Sequence, residues 1–359
     1  MSYHLSLQHL SKSFGNVPAV KDVSLEIKRG ELVTLLGPSG CGKTTTLQML
    51  AGFVQPDGGA IFLGGRDITH LPPYRRNTPL VFQEYALFPH LSVFENIAYG
   101  LKLQKKDRHT IRQKVETILD DLNLPQTGKR FPSQLSGGQQ QRIALARALV
   151  LDPEVLLLDE PLSNLDAKLR VKVRYEIKEL RERFHMTIIF VTHDQEEALS
   201  ISDKIAVMNQ GVVEQFGDPT EIYYRPQNEF VAGFIGETNF LEVNIAACVQ
   251  KDQKAQVRFE WRDHIFHAAC LTNGIKQGER RKLLLRPETI SLYRPDQIRQ
   301  KDQLIPGRIK QNSFLGAMMR YWVDIGGQEV IVDDAKMVQH GLFEGEILMA
   351  FQDHPLHFV

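Results

Sequence analysis

Eight consecutive residues, Gly37-Pro38-Ser39-Gly40-Cys41-Gly42-Lys43-Thr44, constrain the fold of this chain more than any others. They match G-x-x-x-x-G-K-T, a loop that works only between a strand and the start of a helix. Glu31 to Leu36 supplies a β-rich run before it, and Thr44 to Leu50 starts a helical pattern after it. Glycines let successive backbone N–H groups wrap phosphate oxygens, and the helix N-terminus adds its dipole. Lys43 then contacts the β- and γ-phosphates of a nucleoside triphosphate, and the Thr44 hydroxyl ligates Mg²⁺. The bland alternative is a glycine-rich turn, and the flanking strand and helix patterns weigh against it.

Up to about residue 235, short β-rich runs alternate with helical patterns, which predicts a parallel sheet flanked by helices. Leu169, Val173, Ile177, Leu180 and Phe184 recur at helical spacing, and Thr187 to Val191 follows as a buried strand. Between roughly 86 and 150 the pattern is mostly helical, including Thr110 to Leu122, so this stretch forms a lobe inserted into the sheet domain. Arg225-Pro226-Gln227-Asn228 punctuates the end of that domain. Beyond Asn239 the runs shorten and alternate, as in Val257 to Phe266 and Ala317 to Ile325, and 240–359 is expected to be a small β-rich domain.

A length of 359 residues with 42% apolar content can supply two cores. Lys plus Arg equals Asp plus Glu at 43 each, so no overall field favours nucleic acid, and no nucleic-acid partner is expected. Apolar stretches such as Val155 to Leu158 fall far short of the roughly 20 residues that span a bilayer. The start, Met1-Ser2-Tyr3-His4, lacks a secretory pattern. Cys41, Cys248 and Cys270 have no CxxC spacing and are expected as free thiols in a reducing compartment.

Two further sets of residues carry chemistry. Val155 to Leu158 reads as a buried strand that delivers Asp159 and Glu160 to the carboxyl edge of the sheet. Asp159 is placed to hold Mg²⁺ through its water shell, and Glu160 to polarise an attacking water as general base. Leu135-Ser136-Gly137-Gly138-Gln139 is rarer by chance than the phosphate loop, and Ser136 is a good N-cap for a helix running through Gln139 to Leu149. That makes a second helix N-terminus prepared for an anion.

With these motifs in order, residues 1–235 resemble the nucleotide-binding domain of ABC-type ATPases. Phosphate loop, Gln83, Leu-Ser-Gly-Gly-Gln, the Asp159-Glu160 pair, Ser163-Asn164-Leu165-Asp166 and His193 are all present. The resemblance implies an α/β P-loop NTPase core of ABC type with an inserted helical subdomain, followed by a small all-β, OB-like barrel domain. It implies that Phe14 stacks on adenine, although an aromatic after a first strand is also common core material. Thr45 touches the α-phosphate, and Gln83 contacts Mg²⁺ or the attacking water. His193 bonds the γ-phosphate and fixes Glu160, and Asp166 passes information between two sites. Ser136, Gly137, Gly138 and Gln139 complete the ATP site of a second copy, so that ATP fills a head-to-tail homodimer with two composite sites. Glu84-Tyr85-Ala86-Leu87-Phe88-Pro89-His90 resembles the segment that receives a coupling helix from membrane-spanning permease subunits, although Tyr85, Leu87 and Phe88 are equally suited to packing the helical lobe.

Leu285-Arg286-Pro287-Glu288, Gly307-Arg308-Ile309 and Phe314-Leu315-Gly316 resemble the regulatory β-barrels of bacterial importer ATPases for sugars, sulfate, polyamines and ferric iron. The nearest resemblance is to the ferric-iron importers. It implies a peripheral subunit on the cytoplasmic face of the inner membrane, served indirectly by a solute-binding protein. Chromosome-maintenance ATPases share the motifs but place a long coiled coil between loop and Leu135, where this chain has room only for a compact lobe and shows no sustained heptads. Translation-associated ATPases carry two cassettes, and this chain carries one. His264, His267 and Cys270 are evenly spaced, but along a strand from Trp261 to Leu271 the two histidines face opposite sides, which argues against a metal site.

Overall fold

The computed structural model describes residues 3–251, 254–262, 264–272, 274–296, 304–351 and 355–359. Two long antiparallel strands, β1 (Leu5–Phe14) and β2 (Val17–Ile27), open the chain and turn at Gly15-Asn16. Strand β3 (Leu32–Leu36) is buried at every residue and runs into the phosphate loop, after which α1 (Lys43–Ala51) begins. Strands β4 (Gly58–Leu63), β5 (Arg66–Asp67) and β6 (Leu80–Val81) follow. Three helices come next, each opened by a side-chain cap: α2 (Val93–Leu103) at Ser92, α3 (Arg108–Asp121) at Asp107 and α4 (Gly137–Leu149) at Ser136. The chain returns to the sheet through β7 (Val155–Asp159), α5 (Ala167–Phe184), β8 (Thr187–Thr192), α6 (Gln195–Ile201), β9 (Lys204–Asn209) and β10 (Val212–Gly217).

These strands form one ten-stranded sheet in the order β5-β4-β1-β2-β10-β9-β3-β8-β7-β6. The half from β9 to β6 is parallel, and its near-continuous apolar strands are buried on both faces. In the other half neighbours pair antiparallel except β2 and β10, a parallel pair joined at Val212 opposite Asp22. The helical lobe enters between β6 and β7. It is not a free appendage: Val93, Ile97, Val115 and Ile143 share one core cluster with Leu156, Leu158 and Phe190 of the sheet. Since all five parallel strands point their carboxyl ends the same way, the turns after β3, β7 and β8 collect at one edge.

The chain divides into two compact units, Met1–Pro219 and Thr220–Val359, and residues 220–234 group with the second. Arg286 supplies the physical reason. It is 2% exposed, and its guanidinium donates to the carbonyls of Tyr223 at 2.8 Å, Ala232 at 3.1 Å and Glu237 at 3.2 Å while lying 4.2 Å from the Tyr223 ring. The Tyr223 hydroxyl donates to Glu288 at 2.7 Å. Helices α7 (Pro219–Tyr224) and α8 (Glu229–Phe234) are thus held by residues of the second unit. No periodicity in the helices themselves signals that bond.

The second unit is β-rich as expected. Strands β11 (Asn239–Lys251), β12 (Lys254–Trp261), β13 (His264–Cys270), β14 (Arg280–Leu285), β15 (Ile290–Tyr293), β16 (Ile305–Phe314), β17 (Met319–Asp324), β18 (Glu329–Asp334), β19 (Glu346–Phe351) and β20 (His357–Phe358) form two five-stranded sheets. Their inner faces meet in a single core that includes Leu241, Phe259, Phe266, Tyr321 and Phe358. The Asn239 carboxamide joins the sheets by donating to the Ile331 carbonyl at 2.7 Å and accepting from the Ile331 N–H at 2.8 Å. The expected run from Val257 to Phe266 is broken: Arg262, left-handed at φ +53°, turns the chain between β12 and β13.

His264 and Cys270 lie on the same side of β13, with His264 among the aromatic rings of Trp261 and Phe266, and His267 is exposed on the other side. No group of three or more His, Cys, Asp or Glu able to hold a metal ion occurs among the described residues.

Candidate nucleotide site

The loop after β3 is shaped by its own backbone. Gly42, at φ +105°, sits where an added Cβ would lie 2.5 Å from the Ala19 carbonyl oxygen, so no other residue fits. Gly37, Cys41 and Gly42 are buried, Pro38 is half-buried, and Ser39 and Gly40 form the exposed tip. The Lys43 ammonium folds back over the loop, donating to the carbonyls of Gly37 at 2.7 Å and Pro38 at 2.9 Å. Thr46 ties helix to loop by donating to the Gly42 carbonyl at 2.9 Å, a bond that the motif does not announce. Thr45 is half-buried beside it. Burial pushes the Cys41 thiol above its ordinary pKa, and Cys41, Cys248 and Cys270 are all free.

At the same edge, the exposed Thr44 hydroxyl donates to Asp159 Oδ1 at 3.2 Å. Burial raises Asp159 above the usual carboxylate range, the Thr44 bond opposing it. Glu160 follows with φ +43°, a left-handed conformation rare outside glycine. Its N–H donates to Val191 at 3.0 Å, and its carbonyl accepts from the Ser163 hydroxyl at 2.9 Å. His193, just past β8, brings Nδ1 to 3.2 Å from Glu160 Oε1. Residues far apart in sequence therefore meet in two pairs, Thr44 with Asp159 and Glu160 with His193.

The other predicted residues lie around this edge with different partners. Phe14 ends β1 with its ring 52% exposed, so it is a surface platform and not core, with the Lys12 ammonium 5.8 Å away. Gln83 is exposed after β6, its carbonyl accepting from Asn164 at 3.0 Å. Tyr85 and Ala86 are left-handed at φ +61° and +46°, and Arg147 of α4 clamps them by donating to both carbonyls, at 3.0 and 2.7 Å. Tyr85 is buried and Leu87 packs on the helical core, whereas Ala86, Pro89 and His90 are exposed. The packing reading therefore holds for Tyr85 and Leu87.

Ser136 and Gln139 form a capping box at α4: the Ser136 hydroxyl accepts from the Gln139 N–H, and the Gln139 carboxamide from the Ser136 N–H at 3.1 Å. Gly138 has a packing reason that the motif alone does not reveal. A Cβ there would lie 3.0 Å from Leu169 of α5. Among the described residues, no hydrogen bond links residues 136–139 to residues 37–44. Asp166 caps α5, accepting from the Leu169 N–H at 3.0 Å.

Residues 20–163 match the family described as ABC transporter, and 283–342 match the TOBE domain. The spermidine/putrescine import ATP-binding protein PotA of Acetivibrio thermocellus is 44% identical, covering 94% of this chain and 92% of that protein. The Fe(3+) ions import ATP-binding protein FbpC of Rhizobium etli is 45% identical, covering 92% and 91%. Among solved structures, cbiO1 from Clostridium perfringens, described as part of the ABC transporter complex cbiONQ, matches with a TM-score of 0.58 and 30% identity over 62% of this chain and 91% of that one. The chain belongs to the ABC transporter family of ATP-binding proteins. Its core is a P-loop ATPase of that family, and its second unit carries the all-β TOBE, OB-like fold.

Proposed function

We propose that this chain hydrolyses ATP to energise solute import across a bacterial inner membrane, working as a homodimer on the cytoplasmic face beneath separate permease subunits. The observation that carries the reading is the pairing of Glu160 with His193 at 3.2 Å beside the pairing of Thr44 with Asp159 at 3.2 Å. Gly37, Pro38, Ser39, Gly40, Cys41 and Gly42 cradle the phosphates with backbone N–H groups, Pro38 lending only its conformation. Lys43 exchanges its two loop carbonyls for β- and γ-phosphate oxygens, and Thr45 meets the α-phosphate. Phe14 offers its exposed face to adenine.

The donor set suits Mg²⁺: a hydroxyl facing a carboxylate whose charged form burial disfavours gains from a hard cation that prefers oxygen. Thr44, Gln83 and, through water, Asp159 would hold it. When bound, Mg²⁺ neutralises charge building on the β- and γ-oxygens. Glu160 accepts the proton of the attacking water, His193 fixes that carboxylate and reaches the γ-phosphate, and Gln83 orients the water. Ser136, Gly137, Gly138 and Gln139 close the site of the second copy, and Asp166 relays its state. The capped, outward-facing start of α4 supports that division of labour.

The nucleotide-binding domain is taken as 1–235, with its helical subdomain at 86–150, and 240–359 as the regulatory domain. The exposed part of Tyr85–His90, together with the exposed rings of Phe82 and Tyr99, supports a permease contact, with a solute-binding protein engaged only indirectly. Among the described residues no helix is long and apolar enough to cross a membrane, which fits a subunit that works beneath one. Ferric iron is the proposed solute, supported by the FbpC relatives of Rhizobium etli and Agrobacterium fabrum at 45% and 44% identity. Spermidine or putrescine is the second reading, favoured by PotA relatives of equal identity. The test is reconstitution with the membrane proteins that co-purify with the chain, followed by ATP turnover with ferric iron, polyamines, sulfate and sugars. Stimulation by ferric iron alone supports the first reading, and turnover indifferent to every solute and to the permease would end the transport proposal.

A further inference from the structure

Behind the Glu160–His193 pair lies a polar cluster that the reaction above does not use. Arg170 sits on the first turn of α5, and its guanidinium reaches the loop before α5 and the start of α6. Nη2 donates to the Leu165 carbonyl at 3.4 Å, Nη1 donates to Asp194 Oδ2 at 3.3 Å, and Nε lies 3.6 Å from Glu197 Oε1. Glu197 is 3% exposed, and its Oε2 accepts from the Thr192 hydroxyl at 2.6 Å. That hydroxyl in turn accepts from the Asp194 N–H at 3.0 Å, and Asp194 Oδ1 accepts from the Glu197 N–H at 3.1 Å. The residues on either side of His193 are thereby fixed, while the imidazole itself is largely exposed and meets Glu160. A cavity of about 60 Å³ is lined by Glu160, Ser163, Arg170, His193, Asp194 and Glu197, room enough for bridging water.

From this arrangement we infer that Arg170 is a positioning residue that couples Ser163–Asp166 to the His193 loop. This inference rests on the proposed roles of Glu160 and His193, and it names a physical route for the relay assigned to Asp166. Leu165, buried in the core, adjoins Asp166, which the proposed function assigns to signalling between the two sites. A shift of that segment on pairing moves the Leu165 carbonyl, and the planar fork of Arg170 passes the shift to Asp194 and Glu197 and so to the backbone carrying His193. A guanidinium suits this task because it holds several acceptors at fixed angles, which an ammonium does not. A purely structural alternative also exists, in which the cluster only anchors α6 to α5. The two differ in whether turnover changes when stability and ATP affinity do not.

The test compares full-length wild type with Arg170→Ala, Arg170→Lys, Glu197→Gln and the Arg170→Ala/Glu197→Gln double variant. For each, steady-state ATP turnover, the KM for ATP, nucleotide affinity and the melting temperature are measured. Arg170→Ala is expected to lower kcat about 10- to 100-fold at unchanged KM and affinity. Arg170→Lys recovers only part, and the double variant loses no more than Arg170→Ala because both act through one network. A kcat within twofold of wild type for Arg170→Ala, or a loss matched by lost nucleotide affinity, would overturn the inference. Normal turnover by Arg170→Ala beside an inactive Glu160→Gln chain overturns the inference alone. An inactive wild type overturns the functional reading and this inference with it.

Discussion

Glu160 shows how one residue can be costly to place and still be kept. A left-handed backbone at a non-glycine residue costs on the order of 1–3 kcal/mol. Here it is held by the bond to Val191 and by Ser163 on the Glu160 carbonyl, which aim the carboxylate at His193. Glutamine keeps the size and the same bonds but cannot take a proton. Glu160→Gln should bind ATP as wild type does, lose about 100-fold or more in turnover, and accumulate an ATP-bound dimer. Turnover assays and size exclusion with ATP check this, and near-normal hydrolysis would remove Glu160 as general base. Glu160 is legible in the sequence because it follows a buried apolar strand, whose direction delivers it to the sheet edge, whereas His193 is legible only through its place in the motif series that resembles the ABC-type ATPases. Arg170 and Glu197 were not legible. On a helix heavy with Lys, Arg and Glu, a charge that reaches inward looks like its solvated neighbours, and only the folded positions of Leu165 and Asp194 distinguish it.

At the level of elements, β3, β7 and β8 follow from their apolar runs and α5 from its apolar period, while α1 follows from the phosphate loop that opens it. The boundary after Pro219 and the break at Arg262 do not, since each depends on a partner distant in sequence or on one left-handed residue. Strand β20 carries a titratable group whose sign can be worked out. His357 Nε2 lies 2.7 Å from the Pro226 carbonyl oxygen and Nδ1 3.0 Å from the Thr272 hydroxyl, and burial lowers its pKa. An unfolded histidine takes up its proton near pH 6.5. As pH falls below that value, the unfolded chain binds a proton that folded His357 resists. The stability this group contributes is thus present above about pH 6.5 and is lost as pH falls toward the lowered folded value. Both tryptophans, Trp261 and Trp322, belong to the second unit, so their fluorescence reports its unfolding in the intact chain. The melting midpoint should fall between pH 7.5 and 5.5, and His357→Gln should shrink that fall. Equal falls in both proteins would refute the assignment.

For the whole molecule, the decisive fact is that one chain carries two prepared helix starts that do not bond each other. Residues 37–44 open α1 at the sheet edge, and Ser136 opens α4 in the inserted lobe. On the proposed reading, an anion gripped by both lies between two copies, each supplying one half. The consequence can be tested by damaging a different half in each chain. Ser136→Arg keeps its phosphate loop but blocks its signature, and Lys43→Ala keeps its signature but disables its loop. Each variant alone builds no intact site. In a mixed dimer, the loop of the first meets the signature of the second and one site is whole, while the other site is damaged twice. With random pairing half of the dimers are mixed, and half of their sites are intact, so an equal mixture should recover activity that neither variant has alone, up to roughly a quarter of wild-type turnover. ATP hydrolysis by each variant separately and by the mixture measures this. A mixture no more active than either variant alone would mean that each chain completes its own site, because every chain then carries one damaged half and pairing restores nothing.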